Sequence, residues 1–141
     1  MTILQRVVVP VATEDDAKTT CNALLPYLDE VESVIAIHVI EKAGGGIDKA
    51  PLEKRREDAA ETLAIAEQLL GDQVNVETRT AFGTDVVETL FDEAQDADAT
   101  AVAFRPRGGS RLVQLLAGDT ASKLVTDPRL PVVSLPSPED T

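Results

Sequence analysis

Three of the chain's eight arginines fall within seven residues, in Arg105-Pro106-Arg107-Gly108-Gly109-Ser110-Arg111. Guanidinium groups around a glycine pair suit a phosphate, sulfate or carboxylate, because each planar fork donates two parallel hydrogen bonds. The same arginines suit pairing with the chain's own acids, and with 25 Asp and Glu against 13 Lys and Arg this is the simpler reading. His38 stands in an apolar run with no Ser, Cys or Asp pair near it in sequence, which makes it a core or strand-end histidine rather than a base. Cys21 lies on an apolar helix face and reads as a small hydrophobe. Asp15, Asp16 and Glu41 show no metal-ligand spacing.

These residues need elements to position them. Val7-Val8-Val9-Pro10-Val11 and Val34 to Ile40 are continuous apolar runs, as expected of strands covered on both faces. Between them, Thr13 caps a helix, Asp16 reaches back, and Glu14, Asp15 and Asp16 face the positive end of its dipole. Ala17, Cys21, Leu24, Leu25 and Leu28 share one face, and Pro26 ends or kinks the helix. A loop from Glu41 to Ala50, with Gly44-Gly45-Gly46, is read as a flexible connector. Pro51 then opens a long helix with Leu52, Ala59, Leu63, Ala66 and Leu70 inward and Gly71 as its stop.

Val74, Val76, Thr78 and Thr80 alternate with polar residues, the pattern of a half-wet strand at a sheet edge. Asp85 and Glu88 form an acidic relative of the capping box before Val86, Val87, Leu90, Phe91 and Ala94. Ala99 to Phe104 is a fourth strand, Asp119 to Val125 a short helix, and Pro131 to Leu135 a last strand. This alternation predicts an α/β fold with a mainly parallel five-stranded sheet and helices on both faces. Ligands of such sheets bind beyond the C-terminal strand ends, here near Val11 to Thr13, Val39 and Ile40, and Arg105 to Asp119.

Length and charge bound the alternatives. A chain of 141 residues suits one domain, spanning residues 1–141. No apolar stretch reaches the roughly 20 residues that cross a bilayer, and the first residues run into a strand rather than a signal peptide, so a cytoplasmic protein is expected. One cysteine and one histidine argue against disulfide and zinc chemistry. A formal charge of -12 repels nucleic acid and anionic membranes, and acids with only five lysines suit a protein hydrated in concentrated salt.

The Val9-Pro10-Val11 strand end, the Ile37-His38-Val39-Ile40 segment, the long second helix, the glycine loop and the closing Pro131-Val132-Val133 resemble a universal stress protein domain over almost the whole chain. The resemblance implies an α/β sandwich of the adenine nucleotide alpha hydrolase type, strand order 3-2-1-4-5, homodimers commonly joined through the last strand, and stress or signalling roles; slow nucleotide hydrolysis ranks last, since no general base or metal clamp is identifiable, so no enzyme is expected. It also implies a ligand cleft made by Val11, Ala12, Val39, Arg105, Arg107, Gly108, Gly109, Gly118, Asp119 and Thr120.

ATP-binding members carry Gly-x2-Gly-x9-Gly-Ser/Thr and an aspartate after the first strand. Gly108 and Gly118 keep the spacing, but Arg105 replaces the first glycine, Asp119 the hydroxyl and Ala12 the aspartate. A carboxylate about 4 Å from a phosphate charge costs roughly 4 kcal/mol at an effective dielectric of about 20, before screening. Asp119 gains only about 1 kcal/mol as a helix cap, so repulsion wins. The expectation is a regulatory module with weak or absent ATP affinity and no metal. The alternative is an ATP, AMP or other anion sensor gripping through the arginine loop, and a transporter or regulatory protein is the partner class the family suggests.

Overall fold

The computed structural model describes residues 2–41, 49–105 and 123–136, with the backbone alone for 49–52. Strand β1 (Arg6–Pro10) leads to helix α1 (Glu14–Leu24), a 3₁₀ turn (Leu25–Glu30) and β2 (Ser33–Glu41). Helix α2 (Lys49–Leu70), β3 (Asn75–Gly83), α3 (Val86–Asp96), β4 (Ala101–Phe104) and β5 (Val132–Ser134) follow. Residues 123–126, before β5, are helical. All strands are parallel, in the order β3-β2-β1-β4-β5. The expected architecture is therefore the observed one, with β3 at an edge as its half-wet pattern demands.

Alternation along the central strands builds two cores. Val7, Val9, Val34, Ala36 and Ala103 pack beneath Ala17, Cys21 and Leu24 of α1 and Leu63, Ala66 and Leu70 of α2. Val8, Ile35, Ile37, Val102 and Phe104 pack beneath Val87, Leu90, Phe91 and Ala94 of α3, with Leu124. Because both faces are covered, β1, β2 and β4 need the continuous apolar runs that they carry.

The helix ends follow local chemistry. Pro26 tightens the end of α1 into the 3₁₀ turn, as its ring forbids a further α-helical bond. Gly71 closes α2, its N–H donating to the Glu67 carbonyl at 2.8 Å. A Cβ there would meet that carbonyl oxygen at 2.4 Å, so only glycine fits. Asp85 caps α3 by accepting the Glu88 N–H at 3.1 Å, as the spacing predicts. Several boundaries differ from expectation: β3 runs on through Ala81, Phe82 and Gly83 because β2 extends to Glu41 and offers register partners that far. The fourth and fifth strands are shorter than read, starting at Ala101 and Val132. The glycine loop around Gly44 to Gly46 and the start of the short helix at Asp119 lie outside the described residues.

Candidate functional site

The chain leaves β1 toward β2 on one side and β4 toward β5 on the other, so strand order reverses between β1 and β4. Diverging loops open a crevice at such a switch point. Pairing of Pro10 with Ile37, and of Val8 with Val102, puts Val11, His38 and Arg105 level with one another across the three strand ends. Of the expected cleft residues, Val11, Ala12, Val39 and Arg105 are thus brought to one end of the sheet. Val11 and Val39 are buried, while Ala12 and Arg105 are half-buried. Arg107, Gly108, Gly109, Gly118, Asp119 and Thr120 lie outside the described residues.

The strand end is held by hydrogen bonds. The Val11 N–H donates to the Ile37 carbonyl at 2.9 Å. His38 Nδ1–H donates to the Val11 carbonyl at 2.9 Å, which assigns the neutral tautomer with its proton on Nδ1. Burial holds the His38 pKa below the ordinary imidazole value; the Val11 bond opposes this, the Arg55 charge adds to it and Asp58 opposes it. His38 is accordingly a strand-end histidine locked to the backbone.

Asp16 is the residue whose importance sequence reading understated. Its backbone N–H donates to Thr13 Oγ1 at 3.0 Å, the expected cap. Its carboxylate, fully buried, reaches one residue further back and accepts the Ala12 N–H through Oδ2 at 2.9 Å. The signal was the i, i+4, i+7, i+8 spacing of Asp16, Thr20, Ala23 and Leu24, all on the buried side of α1. Next to it, burial pushes the Cys21 thiol up to about 12, with the Asp16 charge adding to the effect. Cys21 is therefore a protonated core residue, as expected, and no nucleophile.

Two ion pairs fasten the segment that returns from the arginine loop. Lys123 Nζ donates to Asp85 Oδ2 at 2.8 Å, and Arg129 donates to Asp92 Oδ1 at 2.6 Å while lying over the Phe91 ring. Among the described residues no cluster of His, Cys, Asp and Glu could hold a metal ion, and no helix is long and apolar enough to cross a membrane.

The backbone donor at Ala12 is already engaged by Asp16, and the first turn of α1 beside it carries Glu14, Asp15 and Asp16. Acids in this first turn complement the positive end of the α1 dipole.

Comparison with known proteins places this geometry. No curated protein matches the chain. A universal stress protein family member from Burkholderia pseudomallei superimposes with a TM-score of 0.70 at 18% identity, over 97% of this chain and 99% of that one. The universal stress protein from Archaeoglobus fulgidus, solved in complex with dAMP, gives 0.63 at 17% identity, over 96% and 100%. A family protein from Arabidopsis thaliana with AMP bound gives 0.66 at 15%, over 96% and 94%. The model of the universal stress protein family matches residues 4–136, and the chain belongs to that family.

Proposed function

We propose that this chain is a non-enzymatic stress-response module, a single cytoplasmic domain that pairs with a second copy through Pro131 to Leu135 and binds ATP weakly or not at all. The observation that carries the reading is the buried Asp16 carboxylate on the Ala12 N–H, where ATP-binding relatives by resemblance use an aspartate to hold the nucleoside. Dimerisation is supported by the outer edge of β5, a three-residue strand with no neighbour beyond it in the sheet among the described residues.

A second reading keeps one supporting observation. Arg105 stands half-buried at the end of β4, level with Val11 at the switch point, and its guanidinium has the chemistry to bind an anion. Relatives solved with dAMP and AMP show that the shared fold accepts such ligands. Titration calorimetry separates the readings. The first expects no saturable heat from ATP or AMP, with binding gained by the combined variant Ala12→Asp, Arg105→Gly and Asp119→Ser. Micromolar ATP binding by the unaltered chain, weakened by Arg107→Ala, would establish the anion sensor instead.

A further inference from the structure

At the far edge of the sheet, two strands and about 10 Å from β1, a different cluster has the chemistry of an oxyanion site. Thr80 and Phe82 of β3 pair with His38 and Ile40 and so lie toward α2. Arg56 of α2 extends over the Phe82 ring, its guanidinium carbon 5.0 Å from the centroid. Arg56, Thr80 and Phe82 line an open cavity of about 280 Å³.

Arg56 is set apart by its partner. Its neighbours are committed: Lys54 pairs with Asp58 at 3.3 Å, and Arg55 donates to the Glu41 carbonyl at 2.6 Å. Arg79 is shared among Glu77, Glu93 and Asp96. No carboxylate among the described residues forms an ion pair with Arg56, although the chain carries 25 acids. A cation–π contact leaves most of the five guanidinium N–H donors able to reach a planar or tetrahedral oxyanion. Thr80, exposed on the cavity wall, carries a hydroxyl that can donate further, and Phe82 lines the same cavity.

We infer that Arg56, Thr80 and Phe82 form a binding site for the phosphate or carboxylate group of a small ligand, separate from the crevice at β1 and independent of whether that crevice takes a nucleotide. Arg56 makes the charge-assisted fork, Thr80 donates its hydroxyl, and Phe82 holds the guanidinium in place.

The test is NMR titration of the full chain at low salt with inorganic phosphate and, separately, with glutarate, following the amides of residues 56, 80 and 82 and the Arg56 side-chain Nε–H. A saturable shift confined to this cluster with phosphate identifies a phosphate site, and one with glutarate a carboxylate site. Arg56→Gln should weaken binding by about tenfold or more, as loss of a charge-assisted fork implies, and Thr80→Val by a smaller factor. Arg56 is exposed, so its replacement leaves the fold intact, which the remaining amide shifts verify. No saturable shift with either anion, or equal affinity in Arg56→Gln, overturns the inference.

Discussion

Replacing Asp16 by alanine tests the central geometry most directly. The carboxylate accepts the Ala12 N–H at 2.9 Å from a fully buried position, and hydrogen bonds to charged groups contribute about 1.5–3 kcal/mol. Loss of its attraction to the start of α1 adds up to about 1 kcal/mol, and alanine's better helix propensity returns roughly half of that. The net expectation for Asp16→Ala is a destabilisation of about 2 kcal/mol, or about 8 °C in Tm for a domain of this size. Asp16→Asn keeps an acceptor but not the charge, and should lose about 1 kcal/mol.

Urea unfolding at low salt and at about 1 M salt, where the Debye length is about 3 Å, adds a second condition. A buried bond survives screening, so the loss should persist at high salt, and the Ala12 amide proton should move upfield in the alanine variant. A loss below about 0.5 kcal/mol, or one that vanishes at high salt as for an exposed cap, would refute the buried-anchor reasoning.

Other consequences are measurable with the same protein. His38 has a folded pKa depressed below its unfolded value, so the unfolded chain takes up the proton first; the stability it contributes is present above about pH 6.5 and falls as pH drops through that value. Denaturant titrations at several pH values should show a shallower acid-side decline in His38→Gln than in the parent, and equal slopes would contradict the assignment. Cys21, with its thiol near 12, should resist a thiol-disulfide reagent at pH 8 until urea unfolds the chain. Asp85→Ala should cost about 1 kcal/mol through the lost cap of α3, whereas Lys123→Met, which removes only an exposed partner, should leave the urea midpoint within experimental scatter.

The sequence was most readable where one periodicity decides the structure. Runs such as Val7 to Val9 announce strands covered on both sides, and the alternation from Val74 to Thr80 announces an edge. The Asp85 cap was readable because a cap depends on residues three apart. Less was visible where the outcome depends on distant partners. The extension of β3 to Gly83 is set by the length of β2, and the depth of Asp16 by α1 packing on the sheet. The stack of Arg129 on Phe91 joins residues 38 positions apart and leaves no local trace.

The same division separates the side chains that hold the fold from those at the strand ends. Side chains that hold the sheet together, such as Val8, Ile35 and Phe104, lie within the strands and beneath the helices. Ala12 and Arg105 lie just past the strand ends, where a change of side chain disturbs little packing. The architecture is shared with relatives at 15–18% identity, and a shared fold does not by itself fix a ligand. At the end of β1 the Ala12 N–H is held by the Asp16 carboxylate, with two more acids in the same helical turn. One N–H makes one such bond, so a ligand at these strand ends must find its hydrogen-bond donors on groups other than the Ala12 amide.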